Sequence, residues 1–190
     1  MKKLIYTVHD DHIEFLEYPF SCASVCANNK LNAANIVEAT DKFFAPPAVR
    51  TTAGELIFVP FLAEEGKGGE NEKLPAFYAR NNIPVRKVTD VWGIINDPFL
   101  DTVHSEDYYE RGYALLEKCG ISRSECNALR EEVGARMLAY NSILWDWVHL
   151  GLNDVLNASC GLFLGEKHRL SDADFEEFYW RAMAIALKGF

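Results

Sequence analysis

Residues 122–157 read SRSECNALREEVGARMLAYNSILWDWVHLGLNDVLN, and this stretch decides the fold of the C-terminal half. Ser122 and Glu125 form the Ser-x-x-Glu pattern of a capping box, which opens a helix because each side chain accepts a hydrogen bond from the other residue's backbone N–H. No proline interrupts the apolar periodicity that follows. We therefore predict one long helix from about Ser122 to Asn157.

The predicted helix is apolar almost all round from Leu138 onward. Helical residues follow one another at about 100°, so apolar side chains three and four positions apart share a face. A helix with apolar residues on most of its faces is normally central to its domain. The predicted buried stripe consists of Cys126, Val133, Met137, Tyr140, Leu144, Val148, Gly151 and Val155, and a second row consists of Leu138, Trp145, Leu152 and Leu156.

One polar strip remains on this helix, formed by Ser142, Asp146, His149 and Asn153 at helical spacing. Asp146 and His149 are three residues apart and would share a face, where a carboxylate and an imidazole can act as a general-base pair or as half of a metal site. We take these two residues as the candidate catalytic pair. The alternative is that the strip faces solvent or hydrogen-bonds to neighbouring helices.

The remaining pattern predicts an α+β fold. A β-rich N-terminal part with two antiparallel hairpins and short helices is expected to pack with a C-terminal three-helix unit around the long central helix. We place the parts at residues 1–103 and 104–190 and expect one shared core, because no flexible linker separates them. Strands are expected at 3–8, 12–18, 35–40, 48–52, 55–61 and 83–88, helices at 74–81, 90–96, 105–119 and from 171, and an exposed mobile loop at 63–73.

Two further clusters contain residue types that bind metals. The turn from His9 to His12 holds two imidazoles and two carboxylates, although His-Asp-Asp is also ordinary turn chemistry. The second cluster consists of Asp97, Asp101, His104, Glu106 and Asp107, around the start of a predicted helix. Negative charge is favoured at a helix N-terminus, which explains most of this cluster. The alternative is a divalent cation held between this cluster and the polar strip on the long helix.

The five cysteines do not predict a disulfide framework, because their number is odd and no close pair occurs. Cys22 and Cys26 alone supply too few ligands for zinc. No phosphate-binding loop, dinucleotide fingerprint or nucleophile elbow occurs, so we expect no cofactor. The aromatic side chains of Trp145, Trp147, Phe178, Tyr179 and Trp180 are expected to pack in the core, with a ligand pocket between helices as the alternative.

Charge and hydropathy narrow the classes of partner. The net charge is −9, and the few basic residues are scattered, which disfavours nucleic acid and suits a basic protein partner. No run of about 18 apolar residues occurs, so no membrane span is expected. The N-terminal segment turns polar after Val8, too early for a secretory signal. We expect a cytoplasmic protein.

Three functions are compatible with the sequence. The first is a non-enzymatic protein-binding or regulatory module with a basic partner, because the chain is small and acidic and has no recognised catalytic motif. The second is a hydrolase or metal-dependent enzyme that uses Asp146 and His149. The third is homodimerisation through the helical part, since a helix with two apolar rows can serve two interfaces. Whether the chain catalyses a reaction stays open.

Overall fold

The computed structural model describes residues 4–41, 44–59 and 73–190, and it confirms the α+β class. The predicted loop at 63–73 lies outside the described residues except for Lys73. The chain divides into two compact units, Met1–Val88 and Thr89–Phe190. This division falls before the predicted boundary at 103/104, because the helix that begins at Val91 packs against helices of the second unit. The expectation of one shared core stays a prediction.

Unit 1 contains two sheets. The first has the order β1-β2-β3 and is antiparallel, and the second has the order β6-β5-β4-β7, in which β7 runs parallel to β4. Both predicted hairpins are confirmed, as β1 with β2 and β5 with β6. The elements are β1 Ile5–Val8, β2 His12–Glu17, β3 Lys30–Asn32, β4 Ile36–Thr40, β5 Ala48–Thr51, β6 Leu56–Phe58, α1 Leu74–Arg80 and β7 Val85–Arg86.

Side chains from both sheets form the core of unit 1. Ile13 and Phe15 from β2 and Leu56 and Phe58 from β6 are all almost fully buried. The Tyr18 hydroxyl accepts a hydrogen bond from the backbone N–H of Phe58 at 3.0 Å, which satisfies a buried donor. Burial alternates along β1 and β2, so one face of the first sheet is apolar, whereas all three residues of β6 are buried.

Unit 2 is helical, and its helices start where local capping signals predict. Ser105, Ser122 and Ser171 each accept a hydrogen bond from the backbone N–H three residues later, which satisfies a donor that the first turn leaves free. None of the described helices is long and apolar enough to span a membrane. The helices are α2 Val91–Asn96, α3 Glu106–Lys118, α4 Arg123–Leu144, α5 Leu152–Ser159 and α6 Asp172–Ala186.

The short helix α2 is fixed by three polar side chains that bond to backbone carbonyls. Trp92 is fully buried, and its indole N–H donates to Ala182 O at 3.0 Å. Arg130 of α4 donates to the carbonyls of Ile94 and Ile95 at the C-terminus of α2, where a cation is favoured. Asn96 donates to Leu150 O at 2.9 Å. These bonds hold α2 against α4, α6 and the segment before α5.

The prediction of one helix over residues 122–157 is wrong. Helix α4 ends at Leu144, and Trp145 follows in the left-handed conformation with a φ of 57°. A second helix, α5, begins only at Leu152. The apolar periodicity continues through the break, but the backbone does not, because Trp145 N–H makes the last helical hydrogen bond to Asn141 O.

The break also changes which side chains are buried. Met137 and Tyr140 lie in the core as predicted, whereas Leu144 is 39% exposed and Val148 is 85% exposed. In the second row, Leu152 and Leu156 are buried, but Leu138 and Trp145 are exposed. The predicted stripe therefore holds on α4 up to Tyr140, fails at Leu144 and Val148, and holds again at Gly151 and Val155, which are buried.

Replacing Trp145 by Gly should raise the free energy of unfolding by about 1 kcal/mol. A residue with a Cβ pays roughly this amount in the left-handed region, glycine does not, and the indole of Trp145 has few contacts to lose because it is 65% exposed. Urea denaturation measures the change. The matched control is Ala135→Gly in the middle of α4, which should destabilise the protein by about 1 kcal/mol. A loss of stability in Trp145→Gly would contradict this explanation of the helix end.

Candidate functional site

The segment after α4 is organised by the side chain of Asn141, which is 6% exposed. Its Oδ1 accepts a hydrogen bond from the backbone N–H of Asp146 at 2.8 Å. Its Nδ2 donates to Asp146 O at 3.1 Å and to Phe99 O at 2.9 Å. One buried amide therefore ties the loop after α4 to the loop after α2.

Two more hydrogen bonds join these loops. The backbone N–H of Asp101 donates to Asp146 O at 3.2 Å, and the Thr102 hydroxyl donates to Trp147 O at 2.7 Å. The segments 99–103 and 145–149 consequently lie side by side, and we call them the paired loops. One backbone–backbone hydrogen bond and one hydrogen bond from a side-chain hydroxyl thus join the paired loops.

Asp146 does not pair with the imidazole of His149 as the predicted strip requires. Its Oδ1 accepts hydrogen bonds from the backbone N–H groups of Val148 at 2.8 Å and His149 at 3.0 Å. Asp146 thus shapes the turn, in the manner of an aspartate that bonds to the backbone two residues on. Ser142 is exposed and bonds to Ala139 O within α4, and Asn153 lies on α5, so no continuous strip exists.

The side-chain partner of His149 is Asp90, the N-cap residue of α2. His149 Nε2 lies 2.7 Å from Asp90 Oδ2, while Asp90 Oδ1 accepts the backbone N–H of Gly93. A Cβ at position 93 would lie 3.2 Å from His149 Nε2, so glycine allows the imidazole to lie against α2. A carboxylate on one ring nitrogen orients an imidazole, which is an arrangement that a general base can use.

The groups that act electrostatically on His149 are all acidic. The hydrogen bond to Asp90 is the largest influence and raises the pKa of His149, against the opposing effect of burial. Asp154 and Asp146 raise the same pKa through their charge. Asp97 belongs to the same set, because His149 lowers its pKa in turn. We call His149 and these four carboxylates the acidic cluster.

Asp154 lies at the start of α5 and is held in place by two hydrogen bonds. Its Oδ2 accepts the backbone N–H of Gly151 at 2.9 Å, and its Oδ1 lies 3.4 Å from the Tyr140 hydroxyl. Burial is the main reason that its pKa rises to about 6, against the lowering effect of the Gly151 N–H and of His149. Asp154 therefore titrates well above an ordinary aspartate.

The structure brings together only some residues of the second predicted cluster, which runs from Asp97 to Asp107. Asp97 is 9% exposed, burial raises its pKa, and it accepts a hydrogen bond from Tyr108. The His104 ring stacks on Tyr108 with a centroid distance of 4.0 Å. Glu106 and Asp107 lie in the first turn of α3, as the capping interpretation predicts. In the described ranges, no group of three side chains could hold a metal ion, and this includes the predicted joint site.

The other sequence candidates lie in unit 1. In the turn from His9 to His12, the two imidazoles stack at a centroid distance of 4.4 Å, and His12 Nδ1 lies 2.6 Å from Asp11. Asp10 pairs with Arg80. In the described part of the chain, Cys22, Cys26 and the other three cysteines form no disulfide.

Five apolar side chains on and beside the paired loops point into solvent. Val103 is 100% exposed, Val148 85%, Trp145 65%, Trp147 61% and Leu144 39%. We call these five residues the exposed apolar surface. The predicted core packing of the aromatic residues is therefore correct for Phe178 and Tyr179, which are buried, and wrong for Trp145, Trp147 and Trp180, the last of which is 37% exposed.

The chain around this surface contains no basic residue over two long stretches. No Lys or Arg occurs between Lys87 and Arg111 or between Arg136 and Lys167, whereas the first stretch holds six acidic residues and the second holds three. The first basic residue after the paired loop 99–103, Arg111, is paired with Asp107. The two stretches of chain that carry the exposed apolar surface are thus acidic.

Sequence reasoning found His149 but missed its partner. Asp90 is recognisable as an N-cap, yet nothing in the sequence connects it to a histidine 59 residues later. The exposure of the two tryptophans was missed for a different reason, since their spacing fits a buried helix as well as a broken one.

Comparison with known protein families, curated proteins and solved structures found no match to this chain.

Replacing Asp90 by Asn should lower the pKa of His149. Asparagine is as good an N-cap as aspartate, so α2 keeps its acceptor for Gly93 while the imidazole loses its carboxylate. NMR titration of the imidazole protons measures this pKa, with His12, whose partner is Asp11, as the internal control. A raised pKa stabilises the folded state below the ordinary value of about 6.5 and loses this effect as the pH rises through the folded value. The variant should therefore lose more stability at pH 5.5 than at pH 8.5, and an unchanged His149 pKa would contradict the pairing.

Replacing Asp154 by Asn should make the protein less sensitive to pH. The pKa of Asp154 rises to about 6 in the folded state from about 3.9 in an unfolded chain, so its contribution to stability is present below pH 4 and is lost as the pH rises through 6. The asparagine of this variant keeps an acceptor for Gly151 N–H and has no charge to bury. Denaturation at pH 4 and pH 7 should show the variant gaining stability relative to the parent as the pH rises. A constant difference would contradict the shift.

Proposed function

We propose that this chain is a non-enzymatic protein-binding module whose exposed apolar surface binds a segment with apolar side chains flanked by Lys or Arg. The observation that carries the proposal is the exposure of Trp145 and Trp147 among acidic side chains, within stretches that lack basic residues. Contiguous exposed apolar side chains on a soluble protein commonly mark an interaction site.

The composition of the surface supports protein recognition. Tryptophan is enriched at interface positions that contribute most to affinity, because its ring gives a large rigid contact area. Val103 and Val148 extend this area on both paired loops, which are joined by the hydrogen bond from the Thr102 hydroxyl to Trp147 O.

Charge complementarity supports a basic partner. Asp101 is exposed on the paired loop 99–103, and Asp146 of the acidic cluster lies between the two exposed tryptophans in the chain. A negative field accelerates the approach of a cationic segment and disfavours acidic competitors. The net charge of −9 acts in the same direction.

The surface is also held in shape before any partner binds. The Asn141 side chain, the Asp146 turn and the His149–Asp90 pair each fix a different point of segment 145–149. A loop that is already ordered loses less conformational entropy on binding, so more of the contact energy contributes to affinity.

Selection of random 15-residue peptides on the immobilised protein tests the proposal. Peptides that bind should carry net positive charge and at least two large apolar residues, and their binding should shift the tryptophan fluorescence to shorter wavelength, since Trp145 and Trp147 leave water. Trp147→Ala should weaken binding by about 2 kcal/mol or more, as expected for a central interface tryptophan. Leu138→Ala, an equally exposed apolar position on α4, is the matched control and should have little effect.

Three outcomes would count against the proposal. Enrichment of acidic peptides, or of none, would overturn it. Equal losses in Trp147→Ala and Leu138→Ala would place the interaction elsewhere. Light scattering that shows a dimer dispersed by Trp147→Ala would assign the surface to a second copy of the chain instead.

The alternative of a hydrolase retains one supporting feature, the orientation of His149 by Asp90. The candidate pair from the sequence, Asp146 and His149, becomes Asp90 and His149 in such a mechanism, because the Asp146 carboxylate is occupied by backbone N–H groups. Among the described residues no nucleophilic side chain bonds to His149, and no group of three could hold a metal. The exposed apolar surface therefore supports binding better than catalysis.

A further inference from the structure

The acidic cluster includes two residues of the chain segment that carries the surface to which we assign binding. His149 follows Val148 in the chain, and Asp146 lies between the two exposed tryptophans. Asp90 contacts the His149 ring from the N-terminus of α2, and Asp154 approaches from the start of α5. Five titratable groups thus surround one segment of the paired loops.

We propose that binding of the basic segment is coupled to release of protons from the acidic cluster, so that the surface binds its partner more weakly as the pH falls from 7.5 to 5. This inference rests on the proposed function. It adds that the same site responds to pH through groups that do not themselves contact the partner.

The sign of the coupling follows from charge alone. A nearby positive charge favours the deprotonated form of every acid and of every imidazole. Each proton that the cluster takes up makes the surface less negative and therefore less attractive to Lys and Arg. Linkage is reciprocal, so a partner that binds the deprotonated form better must displace protons when it binds.

The groups that face His149 act in one direction. They are Asp90 from α2, Asp97 after α2, Asp146 from the loop and Asp154 from α5, and none is cationic. Asp97 has Tyr108, His104 and Arg130 as further neighbours, and the Tyr140 hydroxyl lies near Asp154. The burial of the cluster reduces solvent screening, which extends the effect of each proton to the surface.

One member of the cluster, Asp154, changes charge within the relevant range. The pKa of Asp154 lies at about 6, and the pKa values of Asp97 and His149 are both raised above their ordinary values. Lys and Arg on a partner keep their charge over the same range, so a pH effect can be assigned to this protein.

The test uses a peptide from the selection above, with blocked termini and without His, Asp or Glu. Its dissociation constant should rise by about fivefold or more between pH 7.5 and pH 5, a typical size for coupling between two sites. Calorimetry at pH 6 in two buffers of different ionisation enthalpy measures the protons directly, and net release is expected. A constant affinity, or no proton release, would overturn the inference while the proposed function stands.

Variants of the cluster separate this coupling from a general effect of charge. Asp154→Asn combined with His149→Gln should reduce the pH effect to less than about twofold, because both groups then stay neutral. The matched control is Asp172→Asn, an exposed residue paired with Arg169, which should leave the profile unchanged. If Asp172→Asn reduced the pH dependence of binding as much as the double variant does, the assignment of this dependence to the acidic cluster would be overturned. If the unmodified protein bound the peptide at no pH, the proposed function would be overturned as well.

Discussion

The hydrogen bonds of the Asn141 side chain are the constraint on which the C-terminal unit depends. A helix that continued past Leu144 would bury the apolar row and leave no loop to pair with segment 99–103. Asn141 instead supplies an acceptor to Asp146 N–H and a donor to the carbonyls of Asp146 and Phe99. Because an unpaired buried polar group is costly, these bonds favour the broken backbone over the straight one.

Because α4 ends at Leu144, the apolar surface stays exposed at a cost in stability. Trp145 occupies a left-handed conformation in which glycine is usual, and five apolar side chains remain in water. His149 lies among four carboxylates, which makes the same segment sensitive to protons. Such departures from the most stable arrangement are often found at functional sites, where the surrounding structure supports the strain.

Local signals explain what could be predicted from the sequence. Ser105, Ser122 and Ser171 accept hydrogen bonds from N–H groups three residues later, so the start of each of these helices can be predicted from the local sequence. The two β-rich runs on either side of a short turn likewise predict both hairpins. The end of α4 could not be predicted from the sequence, because Leu144, Val148 and Val155 keep helical spacing across it. The Asp90–His149 pair depends on tertiary packing of α2, which no local pattern contains.

The most direct measurement of the central claim is an NMR titration of the protein with a selected basic peptide. Trp145 and Trp147 have exposed indoles, whereas Trp92 is buried and bonded to Ala182, so their indole N–H signals report different environments. We predict that the largest shifts occur at the indoles of Trp145 and Trp147 and at the amides of residues 101–103. Shifts centred on unit 1, with these indole signals unchanged, would contradict the claim.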